Sequence, residues 1–224
     1  SQNKEVTETV EKIAAAYGVK AVEGMMSHQQ KQNVVDGEKA IMLNPNEQQR
    51  RDYKECTFQA GEVYAIDMIL STGEGKARPS ELRTTIYRKT DSSYQLKMKA
   101  SRAVFAEISQ NAGAFPFTLR ALGDENKARL GITECAAHGV VDAYPIFTEK
   151  AGDVVAQFQY TVFVTANGPV RITTSPFDEA AVKSEKQVED ETVKELLAQS
   201  VAAKKKKKNK KRSGKSAAAA ADKA

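Results

Sequence analysis

The chain has 224 residues, with 34 Lys and Arg, 29 Asp and Glu, two His and two Cys. No apolar run approaches the roughly 20 residues of a membrane-spanning helix, so we expect no membrane insertion. Two cysteines are too few for a disulfide framework and indicate a reducing compartment. The polar first residues have no apolar stretch typical of a signal peptide, so secretion is not expected.

The net charge of +5 is unevenly distributed along the chain. Residues 204–224 contain ten basic residues and one acidic residue, whereas residues 1–203 contain 24 basic and 28 acidic residues. The chain therefore combines an acidic body of net charge −4 with a basic tail of net charge +9. We predict a folded domain over residues 1–203 and a separate tail over residues 204–224.

The predicted elements of the first half begin with a helix over residues 5–17, where apolar residues recur at helical spacing and Gly18 is placed to end it. Residues 19–55 are polar and are predicted to be irregular, with a turn from Asn44 to Asn46. Alternating or β-branched residues then predict strands joined by loops around Gly73, Gly75 and Asp91. These strands are predicted at residues 56–60, 62–70, 84–88 and 94–99.

The second half is predicted to contain two helices, three strands and a last helix. The helices cover residues 101–110 and 126–138, and Phe115-Pro116-Phe117 separates them. The Asn167-Gly168 pair is a strong hairpin signal between the last two strands. The strands are predicted at residues 144–149, 154–165 and 169–174. The last helix, over residues 184–201, has an apolar stripe of Val188, Val193, Leu196, Leu197 and Val201. This order indicates an α+β fold with an antiparallel sheet.

The basic tail is the strongest functional signal. Nine of its first twelve residues are basic, with no large apolar residue among them, so we expect the tail to be disordered. Its natural counter-charge is a polyanion, which favours nucleic acid or a nuclear import receptor over a solubilising tail without a partner. The RNA-binding residues predicted here are Lys204, Lys205, Lys206, Lys207, Lys208, Lys210, Lys211, Arg212 and Lys215.

Three other features are not expected to be sites. The turn from Gly73 to Lys76 lacks the spacing of a phosphate-binding loop, and Glu74 would repel phosphate. His28 and His138 are interpreted as surface or hydrogen-bonded histidines. No Ser or Cys lies in a nucleophile motif, so covalent catalysis has no local support.

Several separated motifs resemble a known fold. Gly-Glu-Val-Tyr-Ala-Ile-Asp at residues 61–67, Ser-Thr-Gly-Glu-Gly at 71–75 and Val-Ala-Gln-Phe at 155–158 resemble the type-2 methionine aminopeptidases of the pita-bread fold. Arg-Thr-Thr-Ile-Tyr at 83–87 and Pro-Phe-Thr-Leu-Arg-Ala at 116–121 resemble more closely their non-peptidase relatives, the proliferation-associated, ErbB-receptor-binding proteins. The resemblance covers nearly the whole chain before the tail. It implies the C-terminal portion of a pita-bread domain.

The resemblance also implies that the peptidase metal site is degenerate. Two metal ions close together need several anionic ligands. A His ligand position corresponds to Ser27, a Glu position to Asp67 and another Glu position to the neutral Gln159, while a substrate-binding His corresponds to Val35. The sequence therefore predicts no metal, no cofactor and no catalysis. A methionine aminopeptidase-like metalloenzyme is the alternative.

The family resemblance implies association with ribosomal RNA and the large ribosomal subunit near the exit tunnel. It also implies roles in ribosome biogenesis, rRNA processing, translation and growth regulation, a receptor tail as partner, and location in the cytoplasm, nucleus and nucleolus. A second basic patch with Tyr94 in its midst is either a ribosome contact or a solvated face. The patch consists of Arg88, Lys89, Lys97, Lys99 and Arg102.

The last predicted helix offers a third functional reading. Val193-Lys194-Glu195-Leu196-Leu197 resembles the leucine-rich co-regulator motif of these relatives, with Val193 at the first Leu position. Docking to a nuclear co-regulator partner is one interpretation. Packing of the same stripe against the sheet of the domain is the other.

Overall fold

The computed structural model of the chain describes residues 2–173, 178 and 181–199. All strand pairs within these residues are antiparallel, which confirms the α+β prediction. The helices are α1 Asn3–Tyr17, α2 Glu47–Asp52, α3 Lys99–Asn111, α4 Glu125–Ala137 and α5 Glu191–Ala198. The strands are β1 Lys20–Ala21, β2 Met26–Gln30, β3 Ala40–Met42, β4 Val63–Ser71, β5 Arg78–Pro79, β6 Ile86–Lys89, β7 Phe117–Thr118, β8 Val141–Ala143, β9 Phe147–Thr148, β10 Val155–Thr165 and β11 Gly168–Arg171.

The main sheet has the strand order β11-β10-β4-β2-β3, and β1 pairs with β4 at the end that β2 leaves free. Strands β4 and β10 pair along their length, with Val155 opposite Ser71 and Phe163 opposite Val63. The predicted hairpin at Asn167-Gly168 is confirmed, since β10 and β11 pair directly across it. Two long central strands thus fix which side chains share a face of the sheet.

Helix α1 forms as predicted and packs on the main sheet. It ends at Gly18, whose φ of 72° lies in the left-handed region that glycine adopts without steric cost. Asn3 is fully buried, and its amide nitrogen donates to the carbonyls of Ala40 (3.0 Å) and Lys54 (2.9 Å). Its side-chain oxygen accepts the N–H of Cys56 at 3.0 Å. One polar residue therefore ties the start of α1 to β3 and to the segment before β4.

Residues 84–145 form a second unit, here called the subdomain, with its own core. It consists of the three-stranded sheet β7-β6-β8 and helices α3 and α4, and the β5·β9 pair connects it to the main sheet. Burial raises the pKa of the Cys135 thiol to about 11, so this residue packs as a neutral side chain. The buried core is made of Tyr87, Leu96, Val104, Ile108, Phe117, Leu119, Leu122, Ala128, Ile132, Cys135, Val140 and Val141.

The prediction that residues 19–55 are irregular was wrong. This stretch contains β1, β2, β3 and α2, and β2 lies inside the main sheet between β4 and β3. The sequence of β2, Met-Ser-His-Gln-Gln, has few of the β-branched or aromatic residues that mark a strand. Two flanking strands satisfy its backbone groups instead, so tertiary context overrides the weak local preference.

Two predicted strands do not form. At residues 56–60 there is only an isolated bridge between Thr57 and Gln2. Residues 94–98 are irregular and lead into α3, because the backbone N–H groups of Lys97 and Met98 donate to the Glu134 carboxylate at 2.7 and 3.1 Å. A side-chain acceptor replaces a strand partner there, so the strand predicted at residues 94–99 is absent.

The pairing and the length of other elements also differ from prediction. Strand β4 pairs with β10, β2 and β1 rather than with the strands that follow it. The single strand predicted at residues 144–149 is replaced by β8 and β9, which belong to different sheets. The last helix is shorter than predicted, since it begins after the N-cap Asp190. Thr174 and Val201 lie outside the described residues.

Gly131 allows α3 and α4 to approach closely. A β-carbon at this position would lie 2.9 Å from the Ala100 carbonyl oxygen of α3 and 2.8 Å from Val104 Cγ2. We expect Gly131→Ala to destabilise the protein, because overpacking of about 1–3 kcal/mol exceeds the gain in helix propensity of about 1 kcal/mol. Urea unfolding measures the effect. Thr133→Ala, at an exposed position of the same helix, is the control and should not destabilise; a stabilised Gly131→Ala variant would contradict this packing.

Candidate functional site

The face of the main sheet that carries Asp67 holds two of the degenerate metal-ligand positions. Asp67 on β4 lies directly opposite Gln159 on β10. The Asp67 carboxylate accepts both of its described hydrogen bonds from Gln157, whose Nε2 lies 2.8 Å from Oδ1 and 3.0 Å from Oδ2. Gln157 was not predicted from the sequence as a site residue, although its spacing of two from Gln159 places both amides on one face. The side-chain amide of Gln157 therefore takes up both oxygens of the Asp67 carboxylate as hydrogen-bond acceptors.

The third degenerate position lies on the other face of the sheet. Ser27 is 2% exposed and lines an apolar cavity of about 280 Å³ together with Tyr64 and Ile66. Its hydroxyl accepts the backbone N–H of Asp67 at 2.9 Å and donates to the Asp67 carbonyl at 3.2 Å. His28, one residue later, lies opposite Ala65 and therefore on the Asp67 face.

These residues do not fit the dinuclear metal centre that the peptidases of this fold contain. Asp67 supplies one carboxylate that is already hydrogen-bonded to Gln157, Gln159 supplies a neutral amide, and Ser27 faces away. Within residues 2–173, 178 and 181–199, no three His, Cys, Asp or Glu residues come together as a metal site. From these three positions two adjacent divalent ions would receive one carboxylate, fewer than the several anionic ligands that neutralise such a pair.

Three members of the basic patch at residues 88–102 are engaged with the protein itself. Arg88 forms a bidentate ion pair with Asp36, at 2.8 and 3.2 Å, and this hydrogen bonding lowers the pKa of the Asp36 carboxyl. The Lys89 ammonium lies 5.7 Å from the centre of the Phe105 ring. Arg102 donates to the carbonyls of Leu96 and Lys97. These contacts hold the loop before α3 and join the subdomain to the main-sheet body.

The remaining two members, Lys97 and Lys99, are exposed, and their ammonium groups form no ion pair with the described residues. They lie near an exposed aromatic pair, in which Tyr94 stacks on His138 with ring centres 3.7 Å apart and planes 10° apart. His138 is one helical turn beyond Glu134, the residue that holds the Lys97 backbone. Free cations beside stacked rings are typical of surfaces that bind single-stranded nucleic acid.

The apolar stripe of α5 divides between the core and the surface. Val193 is 1% exposed, whereas Leu196 and Leu197 are 50% and 62% exposed. Asp190 caps the helix by accepting the N–H groups of Thr192 and Val193, and it also lies 3.0 Å from Lys12 of α1. The first position of the co-regulator motif therefore packs inside, and the last two face solvent.

We expect Val193→Ala to lower the free energy of unfolding by about 2 kcal/mol, because it removes buried methyl groups. The double variant Leu196→Ala/Leu197→Ala should change stability by less than about 0.5 kcal/mol, since both side chains are largely solvated. Chemical denaturation of the full-length protein compares the two. Unfolding of the Leu double variant would instead assign both leucines to the core.

The predicted RNA-binding residues from Lys204 to Lys215 lie outside the described residues, and the domain boundary at residue 203 stays a prediction. Among the residues that the structure describes, no helix has the length and apolarity needed to cross a membrane.

The relatives of the chain carry binding and growth-associated names. It is 41% identical over 196 residues to the curved DNA-binding protein of Schizosaccharomyces pombe, covering 87% of this chain and 51% of that protein. It is 46% identical over 202 residues to ErbB-3 binding protein 1 of Arabidopsis thaliana, covering 89% of this chain and 50% of that protein. It is 43% identical over 197 residues to proliferation-associated protein A of Dictyostelium discoideum, covering 88% of this chain and 50% of that protein. The chain is a homologue of the proliferation-associated, ErbB-3-binding proteins. No family model matches the chain.

The fold of this chain is the pita-bread fold. Its structure superposes on that of a thermophilic Arx1 with a TM-score of 0.78 and 32% identity, covering 90% of this chain and 54% of that one. Methionine aminopeptidase 2 of Laccaria bicolor is a more distant relative, at 28% identity over 158 residues, covering 69% of this chain and 42% of that protein. The chain spans about half the length of the curated relatives it matches.

Proposed function

We propose that the protein is a non-enzymatic RNA- and ribosome-associated protein that acts in ribosome biogenesis, rRNA processing, translation and growth regulation. The observation that carries this proposal is the placement of charge: an acidic body is followed by nine basic residues within residues 204–215. Such a run attracts phosphates without reading sequence. Its partners are ribosomal RNA and the large ribosomal subunit near the exit tunnel, as the family resemblance implies.

The subdomain supports the proposal with a second surface. Lys97 and Lys99 have no ionic partner within the described residues, and the exposed Tyr94–His138 pair offers ring faces on which bases stack. Arg88 and Arg102 hold this surface in place rather than bind the partner, because their guanidinium groups are already paired. The name of the Schizosaccharomyces pombe relative, a curved DNA-binding protein, is consistent with a nucleic-acid partner.

The absence of catalysis is supported by the Asp67 face. A peptidase of this fold would need two metal ions there, and the carboxylate of Asp67 is instead held by Gln157 beside a neutral Gln159. The alternative, a methionine aminopeptidase-like metalloenzyme, is favoured only by the fold and by Asp67 itself. Movement between cytoplasm, nucleus and nucleolus belongs to the proposal, because the tail also resembles an import signal.

Sedimentation of the full-length protein with purified large ribosomal subunits across a salt series tests the proposal. We expect co-sedimentation at low salt that is lost steeply as salt rises, because the contact is largely electrostatic. A parallel metal analysis and an assay with an N-terminal Met peptide test the alternative. Two bound divalent ions with peptide turnover, and no binding to subunits or rRNA, would refute the proposal.

A second candidate function is a nuclear co-regulator that docks through α5. The exposure of Leu196 and Leu197 favours it, because two adjacent leucines in solvent are available to a hydrophobic groove. A pull-down with the Leu196→Ala/Leu197→Ala variant separates this role from ribosome binding, which the variant should retain.

A further inference from the structure

Three arginines, one directly before the subdomain and two within it, line one cleft. Arg83 precedes β6, Arg120 lies in a single 3-10 turn after β7, and Arg129 is on α4. The cleft has a volume of about 410 Å³ and is also lined by Thr85 and Thr118. It is separate from the residues 88–102 patch and from the Asp67 face. More than 30 residues of sequence separate Arg83 from Arg120, so only the fold brings them together.

The cleft has free hydrogen-bond donors. Arg83 and Arg120 are exposed, and their guanidinium groups have no ionic or hydrogen-bond partner among the described residues. The hydroxyls of Thr85 and Thr118 likewise form no side-chain hydrogen bond there. Glu125 is the one acidic residue that lines the cleft, and Arg129 neutralises it, with Nη2 2.6 Å and Nε 3.2 Å from Oε1.

The donors are held on rigid supports. Leu119 and Leu122, on either side of Arg120, are buried in the subdomain core at 7% and 6% exposure. The hydroxyl of Thr84, next to Arg83, donates to the Tyr144 carbonyl at 2.9 Å and fixes the loop to β8. The backbone at both arginines is therefore fixed before an anion binds, so only their side chains are ordered on binding.

We propose that this cleft binds a backbone phosphate of RNA. Planar guanidinium groups match phosphate oxygens in a bidentate geometry, and threonine hydroxyls add neutral donors. The cleft lies at the N-terminal end of α4, and Lys97 lies near Glu134 toward the other end. The nine residues between Glu125 and Glu134 span about 14 Å, a distance that a few nucleotides cover. A polyanion therefore suits the subdomain better than a single phosphorylated side chain does.

This inference rests on the proposed function, and the experiment separates the two. The full-length protein with its tail intact is titrated with a single-stranded polyuridylate oligonucleotide across a salt series. We compare Arg83→Gln/Arg120→Gln with the control Lys31→Gln/Arg51→Gln, which removes the same charge from exposed, unpaired residues of the main-sheet body. Because the contact to one phosphate is lost, the cleft variant should reduce the slope of log K against log salt by about 0.7, which is about fivefold in binding for each tenfold change in salt.

Each outcome is decisive. If the wild-type protein binds no RNA, the proposed function fails and this inference with it. If the wild type binds but the cleft variant equals the control, only this inference is overturned. If the cleft variant keeps RNA binding and loses binding to a phosphoserine peptide, the cleft serves a phosphoprotein instead. The urea midpoint should match the wild type; if it does not, Arg120→Gln alone replaces the double variant and should weaken RNA binding relative to the single control Arg51→Gln.

Discussion

Replacing the nine basic residues of the tail with glutamine is expected to abolish most of the salt-dependent binding to ribosomal RNA. Each phosphate neutralised contributes about 0.7 to the salt slope for single strands, so nine contacts correspond to a slope of about 6. A protein with six to ten such contacts loses about 10³–10⁵ in affinity between 50 and 200 mM salt. Neutralisation should therefore cost several orders of magnitude at low salt and flatten the salt dependence. Filter binding or co-sedimentation of the full-length protein measures both.

A matched control distinguishes charge from sequence. A tail in which every lysine is replaced with arginine keeps the charge and should keep the slope, because the attraction does not require a particular side-chain geometry. Strong retention of binding and slope by the glutamine variant would contradict the role of the tail. It would instead favour RNA binding by the subdomain, through Lys97, Lys99 and the arginines of the cleft.

The largest effect on stability is expected from Ile108→Ala. Ile108, on α3, is fully buried, and it belongs to the core that holds β6, β7, α3 and α4 together. Truncation of a buried isoleucine to alanine costs about 2–5 kcal/mol, from lost burial and from the cavity left behind. Since a small domain is stable by only about 5–15 kcal/mol, the subdomain should unfold at clearly lower urea concentration.

The measurement also reports on whether the two units unfold together. Tyrosine fluorescence does not separate the two units, because Tyr87 lies in the subdomain core and Tyr64 is buried in the main-sheet body. Backbone hydrogen exchange is the better probe, since it reports on each unit separately. Leu130→Ala is the control, because Leu130 lies on α4 and is 59% exposed. It should change stability by less than about 0.5 kcal/mol. An Ile108→Ala cost below about 1 kcal/mol would mean that this core is not packed as described.

Local signals predicted the elements that carry strong periodicity or turn chemistry. Helix α1, with Gly18 at its end, and the β10–β11 hairpin at Asn167-Gly168 formed as expected, since each depends on residues close in sequence. Strand β2 was missed because its polar residues have no strand pattern of their own. The strand predicted at residues 94–99 failed because Glu134, far along the chain, accepts the backbone hydrogen bonds that a strand partner would need.

In the candidate site, too, some features were predicted from the sequence and others were decided by residues distant in the chain. The family resemblance at Asp67 and Gln159 predicted a degenerate ligand set, because an amide is a poorer ligand for divalent ions than a carboxylate, and this stays a prediction. The sequence did not indicate that Gln157 occupies the carboxylate, nor that Ser27 lies on the opposite face. Both depend on the register of β2, β4 and β10, which pairs residues 33 to 100 positions apart.

By itself, the sequence determined the α+β class, the family and the separation of an acidic body from a basic tail, because these follow from residue type, local periodicity and charge order. Tertiary structure decided which basic residues are free to bind. Arg88 and Arg102 are held by Asp36 and by loop carbonyls, whereas Arg83 and Arg120 meet in one cleft. Whether a charge is paired or available depends on groups distant in the chain, and only folding brings those groups within hydrogen-bonding distance.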